Sequence, residues 1–369
     1  MEVFILIVYL VLIGYSVNIL WLCIGFTKVR IFSYKEVYPT TKFSIIVPFR
    51  NENKNLPNLL ASFERLNYPS HLFEVILVDD DSDDRFEIPD SRFQITLMNT
   101  IRKTNSPKKD AINSAIPIVQ NNWVITTDAD CTVNKKWLSI YDAFIQEKTP
   151  KMVASGVLFS PVKSFLQNFQ FLDLLSLQGT TIGSFGNCQA FMCNGANLCY
   201  QKTFFEELRG FEGNDEIASG DDVFLLQKAV QKDPKKVYFL KNTLATVCTK
   251  PENSFKKLLN QRVRWASKIA NYQSIYSKQL GLFVFLMNFS LILLACGFLF
   301  LNFEGQLLLM VFAIKFLVDY ILFRMSSEYF GKSLKYLILS TVLYAFFSSF
   351  VVIYSLFGKY DWKGRTFMK

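Results

Sequence analysis

Residues 123–130 read Trp-Val-Ile-Thr-Thr-Asp-Ala-Asp, an apolar run that ends on two aspartates. The run is short and rich in β-branched side chains, so it predicts a buried strand at 123–127. Alternate residues of an extended segment point the same way, and Asp128 and Asp130 can therefore face one cation. Carboxylate oxygens are the ligands that Mg²⁺ and Mn²⁺ prefer, so this stretch predicts a divalent metal site at the end of a strand.

Similar apolar runs lie upstream of this strand. They predict strands at 43–48, 74–78 and 93–98, with helices at 56–66 and 108–119 between them. Strands that alternate with helices predict an α/β fold with a mostly parallel sheet and helices on both faces. In such sheets the ligand lies beyond the carboxyl ends of the strands, where the acidic residues of this chain are expected.

The amino-terminal segment is long and apolar. Residues 3–26 contain no charge, and a helix of that length, at about 1.5 Å per residue, crosses the roughly 30 Å apolar core of a bilayer. A cleaved signal peptide fits less well than a retained anchor, because no basic residue precedes the run. Basic residues such as Lys28 and Arg30 follow it, so the positive-inside rule predicts an external amino terminus and a cytosolic domain after it.

Three further apolar stretches occupy 280–301, 306–323 and 337–357. Lys315 and Asp319 are four residues apart in the middle stretch and predict a structural ion pair inside the membrane region. Three passes would place the carboxyl terminus outside, whereas its basic residues favour the inside. The sequence leaves open whether one stretch instead lies in the interface or forms a re-entrant hairpin.

The composition excludes several classes of protein. The chain has 369 residues, 51% of them hydrophobic, and a net charge of +9. Its basic residues are scattered and no nucleic-acid-binding motif accompanies them, so we expect no nucleic acid partner and instead an attraction to membrane lipids and nucleotide phosphates. Seven cysteines without a Cys-x-x-Cys pair, and a single histidine, argue against a zinc site or a disulfide framework.

Four short motifs stand in a fixed order ahead of the last apolar stretches. They are Val-Asp-Asp-Asp-Ser (78–82), Asp-Ala-Asp (128–130), Gly-Asp-Asp (220–222) and Gln-Arg-Val-Arg-Trp (261–265). This ordered set resembles the D, DxD, ED and QxxRW series of membrane-bound family 2 glycosyltransferases. The resemblance implies a GT-A domain that transfers a sugar from a nucleotide-sugar, a UDP-sugar first among them, with inversion at the anomeric carbon.

The resemblance and the apolar pattern together divide the chain into five parts. We expect a transmembrane anchor at 1–30, a cytosolic GT-A domain at 40–265, an interfacial segment at 266–279, a transmembrane region at 280–358 and a basic tail at 359–369. The tail contains Trp-Lys-Gly-Arg (362–365), which resembles the tail of many relatives. The segment 165–201 is too polar to predict a spanning helix; it is either part of the acceptor side of the cleft or an ordinary core segment.

The resemblance also implies which residues bind the donor: Glu52, Asp79, Asp80, Lys108, Asp128, Gln261 and Arg264. Asp128 and Asp130 would hold Mg²⁺ or Mn²⁺, which stabilises the charge on the departing diphosphate. The alternatives are a solvated acidic turn for Asp79 and Asp80 and a surface lysine for Lys108. Pro107 stands where relatives have a glycine, so the loop at Lys108 is expected to differ.

Asp222 is implied as the general base that takes the proton of the acceptor. The implied acceptor-binding residues are Gly195, Asn197, Asp221 and Trp265. For Asp221 and Asp222, helix capping is the alternative role. On a helix, Gln261, Arg264 and Trp265 share one face and can reach one ligand, while an amphipathic helix that anchors to the membrane is the alternative there.

A lipid or lipid-linked acceptor is the first expectation, with the protein in a bacterial inner membrane. A processive polysaccharide synthase comes second, because the membrane region is short for a channel that extrudes a polymer. A catalytically silent membrane scaffold of the same fold is the third hypothesis. The presence of Asp222, Asp128 and Asp130 argues against it.

Overall fold

The structure is a computed structural model that describes residues 2–214, 219–268, 271–301, 303–358, 360–362 and 365–367. The chain forms two compact units. The sheet unit comprises Val29–Pro161 and Ala190–Lys250, and the helical unit comprises Met1–Lys28, Val162–Gln189 and Pro251–Lys369. The chain therefore leaves the sheet unit after Pro161 and returns to it at Ala190.

The strands of the sheet unit are β1 (Phe43–Phe49), β2 (Phe73–Asp79), β3 (Gln94–Asn99), β4 (Trp123–Thr126), β5 (Met152–Ser155), β6 (Val157–Phe159), β7 (Leu198–Gln201), β8 (Val237–Leu240) and β9 (Val247–Thr249). Seven of them form one sheet in the order β3-β2-β1-β4-β7-β5-β8, and β6 pairs with β9 in a second. Its helices are α2 (Leu56–Glu64), α3 (Pro107–Ala115), α4 (Trp137–Lys148), α6 (Lys202–Glu207) and α7 (Asp221–Lys232).

The central strands are mainly apolar because both faces of the sheet are covered. In β1, Ile45, Ile46 and Val47 are all buried, although successive side chains point to opposite faces. Ile45 pairs with Val75 of β2 and with Ile125 of β4, both in parallel register. The predicted α/β fold with a mostly parallel sheet is confirmed.

Strand β7 runs antiparallel to both of its neighbours, β4 and β5. Leu198, at the start of β7, pairs with Thr126, at the end of β4. The beginning of β7 therefore lies at the same edge of the sheet as the carboxyl ends of β1, β2 and β4. This reversal brings Gly195–Asn197, which precede β7, to the edge where ligands bind in such sheets.

The helical unit contains α1 (Glu2–Lys28), α5 (Phe165–Gly186), α8 (Phe255–Ala266), α9 (Ile275–Phe300), α10 (Gly305–Phe330) and α11 (Leu337–Phe357). Among the described residues, α1, α9, α10 and α11 are long and apolar enough to cross a membrane. The four predicted apolar stretches are thus confirmed as helices. A short hairpin, β10 (Tyr360–Trp362) and β11 (Arg365–Phe367), follows α11.

Each of the five expected parts includes residues outside the described ones. They are Met1 in the anchor, residues 215–218 in the GT-A domain, Ile269 and Ala270 in the interfacial segment, Asn302 in the transmembrane region, and Lys359, Lys363, Gly364, Met368 and Lys369 in the basic tail. Within the interfacial segment, α8 ends at Ala266 and α9 begins at Ile275.

Helix α5 packs closely against α1 because both present glycines at the contact. A Cβ atom at Gly183 would collide with the carbonyl oxygen of Leu22, and one at Gly186 would collide with that of Gly25. Small residues allow helix backbones in membranes to approach closely. This packing groups α5 with the apolar helices despite its polar composition.

The predicted ion pair of the helical unit is present. Lys315 Nζ lies 2.6 Å from Asp319 Oδ2, and Tyr15 donates its hydroxyl to Asp319 Oδ1 at 2.5 Å. The side chains of Lys315 and Asp319 are 3% and 13% exposed. The hydroxyl of Tyr15 links α1 to α10, and the ion pair neutralises both charges within the unit.

Candidate active site

The loop after β4 carries the two aspartates of the Asp-Ala-Asp motif. The side chain of Asp128 is 39% exposed, while Asp130 accepts a hydrogen bond from Thr249 Oγ1 at 3.0 Å. Oxygen atoms of the two carboxylates and Cys131 Sγ all lie within 4.8 Å of one another. Burial, assisted by Asp130 and Asp128, raises the pKa of the Cys131 thiol. The two carboxylates are therefore close enough to share one ligand.

Lys108, near the start of α3, joins this loop to another acidic segment. Its Nζ lies 2.6 Å from Asp128 Oδ1 and 3.4 Å from Asp221 Oδ2. Burial alone would lower the pKa of Lys108, but Asp128 and Asp221, with a smaller contribution from Asp222, raise it above its usual value. The charged lysine thus lies among three carboxylates, which excludes the alternative of a surface lysine that merely opens a helix.

Asp221 and Asp222 begin helix α7, directly after Gly220, whose φ of +87° is readily adopted only by glycine. Asp222 Oδ1 accepts a hydrogen bond from the backbone N–H of Val223 at 2.8 Å, and Oδ2 accepts one from Gly195 at 2.9 Å. The carboxylate of Asp222 therefore contacts its own helix and the loop before β7 together. These two bonds fix its orientation at the sheet edge.

Gly195 needs to be glycine because of its neighbours. A Cβ atom at this position would lie 2.8 Å from Asp221 Oδ2 and 3.2 Å from Lys108 Nζ. The backbone oxygen of Gly195 also accepts a hydrogen bond from Thr126 Oγ1 at 2.7 Å. The residue thus ties β4 to the acidic cluster while leaving room for the charged side chains.

Asn197 differs from the expectation that it contacts the acceptor. It is fully buried, and its Oδ1 accepts hydrogen bonds from Trp137 Nε1 at 3.2 Å and from the Tyr141 hydroxyl at 2.9 Å. Its Nδ2 donates to the carbonyl oxygens of Gly156 and Ala245, each at 2.8 Å. Because both donors and both acceptor positions of the amide are in use, Asn197 positions the loop before β7 instead.

Asp79 and Asp80 lie at the end of β2, at the same edge of the sheet. Asp79 Oδ1 accepts a hydrogen bond from the backbone N–H of Ser82 at 2.9 Å. Asp80 is buried, and its Oδ1 lies 3.2 Å from Arg102 Nε. The hydrogen bond of Asp79, and the burial and ion pair of Asp80, distinguish the two residues from a loosely solvated acidic turn.

Sequence reasoning missed two arginines that organise this part of the edge. Arg50 donates to the backbone oxygen of Asp80 at 2.9 Å and pairs with Asp81 at 3.1 Å. Arg102 pairs with Asp80 from the segment that follows β3. Arg50 could have been found, because it stands directly after β1 and two residues before Glu52.

Glu52 lies in the loop between β1 and α2. Its carboxylate accepts a hydrogen bond from Asn55 Nδ2 at 2.5 Å, and Lys250 Nζ donates to Asn55 Oδ1 at 2.7 Å. The residue is half-buried. The structure thus places Glu52 at the predicted edge, where local contacts hold its carboxylate.

Residues 44–209 match the family model described as glycosyl transferase family 2. They form a glycosyl transferase family 2 domain. The match covers β1 to β4, the loops that carry Asp79, Asp128 and Gly195, and the segment through Arg209.

Two relatives share parts of this chain. The poly(ribitol-phosphate) beta-N-acetylglucosaminyltransferase TarS of Staphylococcus aureus is 36% identical over 110 residues, which cover 29% of this chain and 19% of TarS. The beta-monoglucosyldiacylglycerol synthase of a Nostoc species is 23% identical over 164 residues, which cover 41% of this chain and 35% of that enzyme. The chain thus matches about a third or less of the length of these relatives.

A solved structure shares the fold. The mannosyltransferase of Pyrobaculum calidifontis, in complex with GDP-Man and Mn²⁺, superposes on 96% of this chain and 99% of its own, with a TM-score of 0.59 and 15% sequence identity. This likeness confirms the GT-A type of fold that the motifs predicted.

The acidic loop of the glycosyl transferase family 2 domain has the ligand chemistry of a hard divalent cation. Asp128 and Asp130 offer carboxylate oxygens from one loop, within the 4.8 Å cluster described above. Lys108 neutralises part of the charge of Asp128. The residues present therefore fit Mg²⁺ or Mn²⁺, and Asp128 and Asp130 are the side chains that would hold it.

The fourth motif lies in the helical unit, on α8, outside the matched residues. Gln261, Arg264 and Trp265 are half-buried, and Gln261 Nε2 lies 3.5 Å from Glu252 Oε1. Arg262, between them, is buried. The structure thus brings six predicted residues together in the sheet unit: Lys108, Asp128, Asp130, Gly195, Asp221 and Asp222. The Gln-Arg-Val-Arg-Trp motif is part of α8 in the helical unit.

Proposed function

We propose that this chain is a membrane-embedded inverting glycosyltransferase that moves a sugar from a UDP-sugar to a lipid or lipid-linked acceptor. One observation carries the proposal: Lys108 lies among Asp128, Asp221 and Asp222 beside Gly195. This arrangement supports the proposal, because Lys108 could contact a phosphate, Asp128 could bind a metal and Asp222 could act as the base at one edge of the sheet. Such a combination suits a nucleoside diphosphate leaving group.

The donor would be held by two parts of that edge. Asp79 and Asp80 would accept hydrogen bonds from the base and the ribose, as carboxylates do in other nucleotide folds. Lys108 would contact the diphosphate. A divalent cation bound by Asp128 and Asp130 supplies further charge stabilisation for the departing diphosphate.

Asp222 would act as the general base. The acceptor hydroxyl oxygen attacks the anomeric carbon, its proton passes to the carboxylate of Asp222, and the bond between that carbon and the diphosphate oxygen breaks. UDP leaves with the electron pair of that bond, and the configuration at the anomeric carbon inverts. The two hydrogen bonds from Gly195 and Val223 hold the carboxylate in one orientation for this transfer.

A lipid acceptor is favoured by the apolar helices. Four helices of the helical unit are long enough to cross a membrane, and one relative is named for the synthesis of a glucosyldiacylglycerol. The other relative is named for a poly(ribitol-phosphate) acceptor, so a polymer is the second candidate. We propose further that the sheet unit is cytosolic and that Gln261, Arg264 and Trp265 contact donor and acceptor.

The test is the release of nucleoside diphosphate by the full chain, purified in detergent. The panel contains UDP-glucose, UDP-galactose, UDP-N-acetylglucosamine and GDP-mannose, each with membrane lipid extract and with Mn²⁺, Mg²⁺ or a chelator. We expect release of UDP from one UDP-sugar, dependent on the metal. The radiolabelled sugar is expected in the organic phase of the reaction.

Two variants make the assay specific. Asp222→Asn is expected to remove the release, and Asp90→Asn, which changes an exposed aspartate of the same unit, is expected to retain it. Radiolabelled sugar in the aqueous polymer fraction would show that the acceptor is a polymer and not a lipid. Equal release by both variants would contradict the assignment of Asp222, and no release from any donor would contradict the proposed activity.

A further inference from the structure

The two arginines of the Gln-Arg-Val-Arg-Trp motif have different surroundings. Arg264 is half-buried, whereas the side chain of Arg262 is only 6% exposed. A buried guanidinium is costly unless charge and hydrogen bonds compensate it. The surroundings of Arg262 therefore show what holds it in place.

Asp173 of helix α5 compensates the charge of Arg262. Arg262 Nε donates to Asp173 Oδ2 at 2.5 Å, and the side chain of Asp173 is only 4% exposed. Arg262 Nη1 also donates to Gln261 Oε1. Nη2 is shielded from solvent and has no acceptor among the residues that the structure describes. Because Asp173 compensates its charge and its nitrogen atoms are buried, Arg262 is not placed to bind a substrate phosphate.

The flat face of the same guanidinium is occupied by Trp265. Arg262 Cζ lies 4.2 Å from the centroid of the indole ring. A planar guanidinium stacks on an aromatic ring in a way that a lysine ammonium does not reproduce. One face of the Trp265 indole is thus covered by Arg262, which is itself held by Asp173 of α5.

We infer that Arg262 is a positioning residue that orients the indole of Trp265, and that Asp173 anchors it for this purpose. The inference rests on the proposed function, in which Trp265 contacts the acceptor. Arg262 and Arg264 then have separate tasks within one motif: Arg262 orients the indole, and Arg264 contacts the donor. Asp173 is the single charged side chain of α5 and lies outside the motif in the sequence, but it contacts Arg262 of the motif.

The first test uses Arg262→Lys, which keeps the positive charge beside Asp173 but loses the planar stack. We expect the KM for the acceptor to rise about fivefold, with the KM for the donor unchanged, because a stacking contact of this kind is worth about that factor. Arg324→Lys is the matched control, since Arg324 lies in the same unit on an exposed i,i+4 pair with Glu328. An unchanged acceptor KM in Arg262→Lys would overturn the inference.

A double variant separates orientation from stability. Arg262→Met with Asp173→Leu replaces the buried ion pair by apolar side chains, an exchange that often preserves stability. We expect an unchanged unfolding temperature together with the raised acceptor KM. Recovery of the normal acceptor KM in this variant would show that the pair serves stability alone.

The second readout does not depend on activity. The fluorescence of Trp265 is obtained as the difference between each protein and its Trp265→Phe counterpart, and its quenching by acrylamide is measured. We expect about twofold stronger quenching of Trp265 in Arg262→Lys, because one face of the indole is then uncovered. If no donor is turned over, the proposed function fails while this measurement still decides the inference, and equal quenching would overturn it.

Discussion

The ion pairs of the two units are arranged differently. Two pairs of the helical unit are closed: Asp173 with Arg262 at 2.5 Å and Lys315 with Asp319 at 2.6 Å. In each pair one positive charge meets one negative charge. Such an arrangement is complete without a ligand, and breaking it leaves a buried charge uncompensated.

In the sheet unit one ammonium group faces several carboxylates. Lys108 is under the influence of Asp128, Asp221 and Asp222, and Asp130 lies in the same loop as Asp128. The cluster therefore carries more negative than positive charge. A bound divalent cation would offset this excess, which is a property of a ligand site and not of a structural pair.

The largest expected effect is that of Asp222→Asn. The variant retains the shape of the side chain but cannot take a proton, so we expect turnover to fall by about 10²- to 10⁴-fold. Affinity for UDP is expected to stay near that of the unaltered protein, as measured by calorimetry. Near-normal turnover, with Asp90→Asn as the reference, would place the base elsewhere in the sheet unit.

The closed pairs of the helical unit are expected to affect stability instead. Lys315→Met leaves the half-buried Asp319 without its ammonium partner and should cost about 3 kcal/mol of unfolding free energy. Thermal unfolding in detergent measures the loss, and the double variant Lys315→Met with Asp319→Leu should recover most of it. An unchanged unfolding temperature in the single variant would remove the contrast between the two units.

The close packing of α1 and α5 predicts a smaller loss of unfolding free energy than the loss of the ion pair. Gly183→Ala places a Cβ against the carbonyl oxygen of Leu22, and such overpacking costs about 1–3 kcal/mol. Thr180→Ala, on a partly exposed part of the same helix, is the control. Equal unfolding temperatures of the two variants would show that α1 and α5 can separate without cost.

The smallest expected effect concerns the excess charge of the sheet unit. Asp130→Ala removes one metal-binding carboxylate, and we expect the strengthening of UDP binding by Mn²⁺ to fall by about tenfold, or 1.4 kcal/mol. Titration with UDP in the presence and absence of Mn²⁺ measures it, with Asp90→Ala for comparison. An identical metal effect in both variants would exclude Asp130 as a ligand.

Much of the sheet could be predicted because its central strands are buried on both faces. Runs such as Ile45–Val47 and Val75–Val78 are continuous and apolar, as expected for a parallel sheet between helices. The antiparallel strand β7 has only four residues, Leu-Cys-Tyr-Gln, and no such pattern. Its direction depends on the pairing of Thr126 with Leu198, which are far apart along the chain.

The candidate site was predictable in its residue types but not in its contacts. Asp128 and Asp222 follow from their motifs, whereas the bond from Gly195 to Asp222 depends on how α7 and β7 meet. Asn197 has the same sequence signal whether its amide faces a ligand or the core. Only the positions of Trp137 and Tyr141 show that it faces the core.

The order of the two units along the chain has a consequence for synthesis. The last residue of the sheet unit is Lys250, so every strand of the seven-stranded sheet is synthesised before α9, α10 and α11. Helix α5 meets Gly25 of α1, which is made before it, and Leu322 of α10, which is made long after it. The nascent protein can therefore complete its sheet while α5 still waits for its second helical partner.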